Sequence, residues 1–358
     1  MNKVVRFALS DVATTAALGI NVTNADINAK VEAGAFGLAV YGGTNATGCC
    51  VDCSGNIYIS DFVKHAIYKI DEGGNTANLF AGLPGTSGHN GTLQNVAAGT
   101  ARFNAPAGLA CDKSNNIYVA DTGNNQIRVI NSGRVSVLAG DRTAGLVDTT
   151  LSTTNGPLAA RFDFPVDVDV DAKGVVYVCE RDNHAIRKIE GGKVLTIAGD
   201  GSAGDLEDVQ ALGKNASYFS SPRALCVDAD GAIYVSDTGN LKVKKITTNG
   251  WVYLHSGSGV SGRSLGDQTA GSGHVPSTGV ADSNPFTCEY VFPFWSAVDK
   301  SGNLYIIDKD AGRSGTRLIS IDKDGVPNVI ADFNGSDGDN SASVAVSPGQ
   351  KLFVTMNV

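Results

Sequence analysis

One pattern of hydrophobic and polar positions occurs five times along the chain. In each copy two short alternating apolar runs flank a polar turn, which is typical of a β-hairpin. Every copy has a tyrosine, with an aspartate six residues before it and an acidic residue three residues after it. The copies are CVDCSGNIYISD (50–61), ACDKSNNIYVAD (110–121), DVDAKGVVYVCE (169–180), CVDADGAIYVSD (226–237) and AVDKSGNLYIID (297–308). Five copies in register predict a repeat protein, with both acids in structural turn roles because Asp accepts backbone N–H bonds at turns.

Two further apolar segments follow each hairpin. The third segments are HAIYKI (65–70), NQIRVI (125–130), HAIRKI (184–189), LKVKKI (241–246) and TRLISI (316–321). The fourth segments are TANLFAG (76–82), VSVLAG (135–140), VLTIAG (194–199), VYLHSG (252–257) and PNVIAD (327–332). Each unit therefore predicts four short antiparallel strands, and repetition of such units is the signature of a β-propeller.

The two ends of the chain complement each other. Residues 343–355 match the first two strands of a unit, with Phe353 in the place of the tyrosine, whereas 3–8 and 37–43 match the third and fourth strands. The sequence therefore predicts an all-β, six-bladed β-propeller with four-stranded antiparallel blades, the sixth closed by strands from both termini. Residues 1–358 would form a single domain, with blades at approximately 44–82, 103–140, 162–199, 219–257, 290–332, and 341–358 plus 1–43.

Two stretches resemble a known repeat family. These are PAGLACDKSNNIYVADTGNNQIRVINSGRVSVLAG (106–140) and PVDVDVDAKGVVYVCERDNHAIRKIEGGKVLTIAGD (165–200), with Asn183-His184 at the position that names the family. ARFNAP (101–106) and ARFDFP (160–165) are similar to the segments that lead into such repeats. The chain thus resembles the NHL-repeat propellers. That resemblance implies the fold and leaves the function open, because propellers of this family have many roles.

Charge and composition narrow the classes of partner. The net charge is -8, which argues against a nucleic-acid partner. No apolar run is long enough to span a membrane, and Asp11 interrupts the apolar stretch at the start of the chain, so we expect neither a signal peptide nor a membrane segment, and synthesis in the cytoplasm. The seven cysteines show no framework spacing, so we expect free thiols, with Cys53 in a turn and Cys50 on an inner strand.

Binding residues are expected on the long connections between blades. The loops 83–105, 141–164, 200–221 and 257–292 all join a fourth strand to the next first strand, so they emerge at one end of the propeller; we call them the loop crown. Loops on a rigid scaffold are where binding residues concentrate. The candidates are His274, Glu289, Arg102 and Arg161. The alternative is that these loops are packed or disordered insertions without a ligand.

Two carboxylates interrupt the inner-strand pattern of the third copy. Asp167 and Asp169 occupy places where the other copies have residues such as Gly108, Ala110 or Ala224. Two carboxylates beside a central channel need a partner, because an unpaired buried charge is costly. Calcium prefers oxygen ligands and would fit. Water or an arginine such as Arg223 or Arg161 is the alternative.

Basic residues recur in the third strands. These are Arg128, Arg187 and Lys244, with Arg6 expected at the equivalent place. Because third strands lie toward the outside of a propeller, we expect a solvated face there rather than a stripe that binds nucleic acid.

No catalytic set of residues converges in the sequence. The peptide-amidating lyases, which resemble this fold, bind zinc through channel histidines, whereas His65 and His184 fall at the structural position of the repeat. We therefore favour a non-catalytic interaction or structural module, such as a subunit of a virus particle or other large assembly, that binds a protein or a glycan through the loop crown. The alternative is a propeller hydrolase or lyase with a divalent cation in the channel.

Overall fold

A computed structural model describes most of the chain. The described residues are 2–8, 38–41, 46–74, 76–90, 95–207, 209–210, 216, 218–261, 289–309, 315–334 and 343–356. Within these ranges the regular secondary structure consists of β-strands and of short 3₁₀ helices. The 3₁₀ helices are at Ala98–Thr100, Thr122–Asn124, Gly156–Ala159 and Thr238–Asn240. None of the helices in the described ranges has the length or apolar character needed to cross a membrane.

The strands follow the predicted units of four. Two strands come first, β1 (Asn2–Ala8) and β2 (Leu38–Tyr41). Blade 1 contains β3 (Ala46–Val51), β4 (Ile57–Asp61), β5 (Ala66–Ile70) and β6 (Asn78–Gly82). Blade 2 contains β7 (Val96–Ala97), β8 (Pro106–Cys111), β9 (Ile117–Asp121), β10 (Gln126–Asn131) and β11 (Arg134–Ala139). Blade 3 contains β12 (Pro165–Val170), β13 (Val176–Glu180), β14 (Ala185–Glu190) and β15 (Lys193–Ala198).

The second half of the chain continues in the same way. Blade 4 contains β16 (Val209–Gln210), β17 (Ala224–Val227), β18 (Ile233–Asp237), β19 (Lys242–Ile246) and β20 (Trp251–Ser256). Blade 5 contains β21 (Pro293–Val298), β22 (Leu304–Lys309), β23 (Gly315–Ile321) and β24 (Pro327–Asn334). The last strands are β25 (Ser343–Val346) and β26 (Lys351–Met356).

The sheets confirm an all-β propeller of four-stranded antiparallel blades. Five blades are each formed by one contiguous stretch of chain, one fewer than the six predicted. The strands assigned to the sixth blade form a separate sheet in the order β2-β1-β26-β25, which we call the terminal sheet. In blades 2 and 4 the two-residue strands β7 and β16 add a fifth strand beside β11 and β20.

The aspartate-to-tyrosine spacing has a local cause. Asp112 Oδ1 accepts the backbone N–H groups of Ser114 (2.8 Å) and Asn116 (2.9 Å), which closes the turn between β8 and β9. Tyr118 then donates its hydroxyl to Asp112 Oδ2 at 3.1 Å. The same carboxylate-to-backbone bonds occur in the other four blades, at Asp52, Asp171, Asp228 and Asp299. The predicted turn role of these aspartates is confirmed.

The core lies between neighbouring blades. Apolar clusters join blade 1 to 2, 2 to 3, 3 to 4 and 4 to 5. The terminal sheet packs on blade 1, where Phe353 and Ala345 contact residues such as Ile59. The innermost strands contact one another in the order β3, β8, β12, β17, β21 and β25, and β25 also contacts β3.

Truncation of Phe353 tests the packing of the terminal sheet on blade 1. Phe353 is fully buried, so we expect Phe353→Ala to lower the free energy of unfolding by about 3–5 kcal/mol, through lost burial and the cavity left behind. Urea unfolding measures the change. Leu151→Ala, at a side chain that is 73% exposed, is the control and should cost less than about 0.5 kcal/mol. Equal stability of the two variants would contradict this packing.

Candidate functional site

A buried ion pair lies in each of blades 2 to 5. The pairs are Arg128–Asp121 (3.1 Å), Arg187–Glu180 (2.9 Å), Lys244–Asp237 (3.1 Å) and Arg317–Asp308. The expectation of a solvated face is therefore wrong, because the side chains of Arg128, Arg187 and Lys244 are at most 1% exposed. Neighbouring blades and loops cover the third strands, so a polar position there faces protein.

Each buried cation also holds the loop that leads into its blade. Arg128 donates to the carbonyl of Arg102 (3.3 Å), and Arg187 donates to the carbonyl of Arg161 (2.9 Å). Lys244 donates to the carbonyl of Tyr218 at 2.6 Å. Arg317 donates in the same way to the carbonyl of Glu289 at 3.3 Å. Residues 102, 161, 218 and 289 all directly precede the aromatic residue of their loop, so the contact repeats with the blades.

An asparagine completes this arrangement in three blades. Asn124 donates one amide to Asp121 (2.8 Å) and to the carbonyl of Gly88 (2.8 Å) in the preceding loop. Asn183 and Asn240 make the corresponding pairs of bonds to Gly145 and Gly204. We call the cation, the acid and the asparagine of one blade its loop clamp. Burial raises the pKa of Asp121 to about 6, against the opposing effect of Arg128 and the N–H donors.

The terminal sheet and blade 1 depart from this pattern. In blade 1 Tyr68 pairs with Ile59 in the register that Arg128 has with Val119, so a tyrosine stands at the place of the cation. In the terminal sheet Val5 pairs with Val354, the residue after Phe353. Val5, and not Arg6, therefore has the equivalent register, because a one-residue shift places a side chain on the opposite face.

The crown candidates lie on the clamped loops. The side chains of Arg102 and Arg161 are exposed, and Glu289 is half-buried. Arg161 Nε lies 3.0 Å from Asp141 Oδ2. His274 lies outside the described residues. The structure thus brings Arg102, Arg161 and Glu289 to the same repeat position on different loops, while their role in binding stays a prediction.

The two channel carboxylates contact the backbone of the next blade. Asp167 accepts the N–H of its neighbour Val168 (2.9 Å) and the N–H of Leu225 on β17 (3.0 Å). Asp169 accepts from Val170 (2.8 Å) and from Val227 on β17 (2.8 Å) in the same way. Burial raises the pKa of Asp167, and it raises that of Asp169 to about 6. The carboxylates therefore join blade 3 to blade 4 by satisfying N–H groups of an inner edge strand.

A glycine makes room for one of these carboxylates. A Cβ atom placed on Gly108 would lie 2.1 Å from Asp167 Oδ1 and 2.5 Å from Asp167 Cα. The inner strands of blades 2 and 3 therefore approach too closely for any side chain at position 108.

The channel forms a cavity of about 210 Å³. Its lining includes Asp167, Asp169, Trp295 and the thiols of several cysteines. Trp295 Nε1 is buried there with no hydrogen-bond partner in the described part of the chain. No group of three or more His, Cys, Asp or Glu residues in the described ranges is arranged to hold a metal ion. The calcium site at Asp167 and Asp169 stays a prediction.

The repeat histidines join consecutive blades. His65 Nδ1 accepts the backbone N–H of Ala105 (2.9 Å), and His184 Nδ1 accepts that of Ser221 (2.8 Å). Asn125 Oδ1 accepts from Phe164 in the same manner between blades 2 and 3. Burial lowers the pKa of His65 and His184, which keeps the accepting nitrogen unprotonated. Their predicted structural position is confirmed.

Fold and repeat chemistry together define a β-propeller of NHL repeats. A family model described as the Teneurin NHL domain matches residues 32–247, which is more than half of the chain. The chain therefore belongs to the Teneurin NHL domain family.

Curated relatives share part of the chain. Teneurin-3 of Mus musculus is 24% identical over 300 residues, which cover 77% of this chain and 11% of that protein. NHL repeat-containing protein 2 of Homo sapiens is 28% identical over 179 residues, covering 47% of this chain and 24% of that protein. Protein SUPPRESSOR OF QUENCHING 1, chloroplastic, of Arabidopsis thaliana is 24% identical over 208 residues, with coverages of 56% and 19%. The chain spans a quarter or less of each of these relatives.

Solved structures share the fold at low identity. A gluconolactonase from Xanthomonas campestris superposes with a TM-score of 0.52 at 14% identity, covering 89% of both chains. A protein of unknown function from Bacteroides thetaiotaomicron superposes with a TM-score of 0.53 at 17% identity, covering 87% of this chain and 69% of that chain. At these identities the likeness shows the fold alone.

Removal of a clamp cation should be far more costly than removal of an exposed one. Arg187→Met leaves Glu180 buried without its cation, so we expect a loss of about 3–5 kcal/mol in the free energy of unfolding. Arg161→Met removes the exposed ion pair with Asp141 and should cost about 0–1 kcal/mol. Urea unfolding of both variants measures the difference. Similar losses would show that the buried pair does not stabilise the loop clamp.

Cys53 should be the fastest-reacting thiol among the described cysteines. Its side chain is exposed, whereas Cys50 is buried and burial raises the pKa of the Cys50 thiol. In a Cys288→Ser background, which removes the cysteine outside the described residues, we expect one fast maleimide adduct at pH 7.5. Cys53→Ser should abolish it and Cys50→Ser should leave it unchanged, as measured by intact-mass spectrometry. A fast phase that survives Cys53→Ser would contradict the assignment.

Proposed function

We propose that this propeller is a non-catalytic interaction module that binds a protein or glycan partner through the loop crown. The observation that carries the proposal is the loop clamp. Each clamp fixes loop backbone with buried charges, while side chains at the same loop positions, such as Arg102 and Arg161, extend into solvent. A preorganised surface of exposed polar groups suits recognition, because little conformational entropy is lost on binding.

The engagement of the histidines supports the same proposal. His65 and His184 each accept a backbone N–H bond, and His255 is buried against the ring of Tyr234 (4.9 Å between centroids). A general base needs a free nitrogen within reach of substrate. His65 and His184 are therefore better suited to holding the blades than to proton transfer, whereas His255 Nε2 is buried with no hydrogen-bond partner in the described part of the chain.

The proposal includes the arrangement of the whole ring. We infer that the terminal sheet serves as the sixth blade, so that residues 1–358 form one closed domain. The contacts of β25 with both β21 and β3 support this closure. That the module acts as a subunit of a larger assembly, such as a virus particle, stays a prediction.

The second candidate is a hydrolase or lyase with a divalent cation, such as Ca²⁺, at Asp167 and Asp169. The channel cavity favours it. Against it, each carboxylate already accepts two backbone N–H bonds, whose positive ends point at the oxygens that a cation would need. We therefore rank the interaction module first.

Crosslinking from the two ends of the propeller tests the crown. A photo-crosslinking amino acid is placed at Arg102 or Arg161 on the crown, and at Lys113 or Lys173, which are exposed in hairpin turns at the opposite end. In extract of the cells that produce the chain, we expect a discrete crosslinked species from the crown positions only. Mass spectrometry identifies it. Equal yields from both ends would contradict binding through the crown.

An activity assay separates the second candidate. The wild-type chain and Asp167→Asn/Asp169→Asn are incubated with gluconolactone and Ca²⁺. The interaction module predicts equal, background hydrolysis by both. Calcium-dependent hydrolysis that the double variant loses would replace our proposal with the enzyme.

A further inference from the structure

Three basic residues lie on two neighbouring crown loops. His89 and Arg102 belong to the loop before blade 2, and Arg142 belongs to the loop before blade 3. All three side chains are exposed. Arg142 Nη1 lies 2.5 Å from His89 Nε2, so the two loops touch through these side chains. We call His89, Arg102 and Arg142 the basic cluster.

Arg102 has the setting of Arg161 without its acid. Both arginines directly precede the aromatic residue of their loop. Both side chains also lie close to a loop glycine. A Cβ on Gly88 would lie 3.5 Å from Arg102 Cδ, and a Cβ on Gly145 would lie 3.5 Å from Arg161 Cδ. Arg161 pairs with Asp141, which directly follows Gly140 at the end of blade 2. Leu83, which directly follows Gly82 at the end of blade 1, stands at the corresponding place before Arg102. The charge of Arg102 is therefore not compensated as that of Arg161 is.

Arg142 contacts a histidine ring where an acid would be the ordinary partner. Arg142 Nη1 lies 2.5 Å from His89 Nε2 and 3.1 Å from His89 Nδ1. A guanidinium group only donates hydrogen bonds, so it can bond to this ring only when the ring is neutral and one of its nitrogens accepts. Burial, Arg142, Arg128 and Arg102 all lower the pKa of His89, in keeping with a neutral ring. Arg142 also has φ of +77°, an unfavourable backbone conformation for a side chain other than glycine.

The basic cluster is positively charged, whereas the chain as a whole is negatively charged. Within the described ranges no carboxylate forms an ion pair with Arg102 or Arg142, although the chain carries a net charge of -8. Arg161, on the same crown, shows that an acid can be placed beside such an arginine. Two uncompensated guanidinium groups beside a neutral imidazole suit an anion from outside the chain, because guanidinium forms bidentate bonds to oxyanions.

We propose that His89, Arg102 and Arg142 form a binding site for a doubly charged oxyanion, a sulfate or phosphate group carried by the crown's partner. The proposal rests on the proposed function and adds the chemistry of the ligand. Two positive charges match two negative charges better than the single charge of a carboxylate. The oxyanion would accept hydrogen bonds from both guanidinium groups and bridge the two loops.

Titration of the imidazole signals tests the site. The full chain, labelled with ¹³C-histidine, is titrated at pH 7.5 with sodium sulfate and separately with sodium phosphate, each against sodium chloride at equal ionic strength. His89 is assigned with His89→Gln, and the half-buried His65 and His184 are internal references. We expect a saturable shift of the His89 signal with sulfate, phosphate or both, and the tighter arm identifies the source of the group. Shifts no larger than those in chloride would overturn the proposal.

Variants on the crown provide the matched controls. Arg102→Gln and Arg142→Gln should each weaken the affinity by about tenfold or more, as expected for loss of a charge-assisted hydrogen bond. Leu83→Asp, which supplies the acid that Arg161 has, should weaken binding to a similar extent while retaining every basic residue. Lys113→Gln, at an exposed lysine at the opposite end of the propeller, should bind as the unaltered chain does. Equal loss in Lys113→Gln and Arg102→Gln would show an effect of general surface charge and overturn the proposal.

The imidazole titration and the crosslinking experiment test separate claims. Crosslinking from the crown uses no added anion, and the imidazole titration uses no partner. Crown crosslinks without anion binding would overturn the oxyanion site alone. Anion binding with equal crosslinking from both ends of the propeller would support the site and contradict binding of a partner through the crown.

Discussion

The burial of a cation against an acid inside a blade is the constraint on which the crown depends. Removing both charges from water costs several kcal/mol per ion, and hydrogen bonds to the remaining donors and acceptors offset that cost. In blade 3 such partners come from the preceding loop, through the carbonyls of Arg161 and Gly145, while Arg187 Nε is buried with no hydrogen-bond partner among the described residues. The loop therefore cannot leave its place without exposing or stranding the ion pair. The positions of the loop residues that the clamps contact thus depend on electrostatics inside the blades.

Differences between blades show that this physical requirement is met by more than one side chain. Blade 4 uses Lys244, whose ammonium lies near Asp237 (3.1 Å), Asp205 (2.7 Å) and the carbonyl of Tyr218 (2.6 Å). Blade 5 takes its cation from Arg317, which pairs directly opposite Asp308, whereas Arg128 lies opposite Val119. The cation thus comes from different registers and still reaches its acid and its loop carbonyl. The cation of a loop clamp is therefore identified better by asking which side chain can neutralise the buried acid than by its position in the repeat.

The hairpin period was readable from sequence because its causes are local. The aspartate that closes each turn and the tyrosine that contacts it are six residues apart, and alternation assigns the strands. The roles of Arg128 and Asp167 were not readable, because their partners lie in other segments. Arg128 contacts a loop 26 residues away, and Asp167 accepts from Leu225, 58 residues away. Alternation also distinguishes the faces of a strand without showing whether protein or water covers each face. The cluster of His89 and Arg142 likewise depends on two loops meeting in space.

The contact between Gly108 and Asp167 has a consequence for how this sequence can change. Any side chain at position 108 would overlap both the carboxylate that joins blades 3 and 4 and the backbone Cα of residue 167, so the glycine is required whichever residue stands at 167. Replacement of Asp167 by glycine or alanine would lose the bond to Leu225 and still leave the backbone clash. Position 108 can therefore accept a side chain only if the inner strands of blades 2 and 3 move apart, which constrains this glycine more tightly than the aspartate beside it.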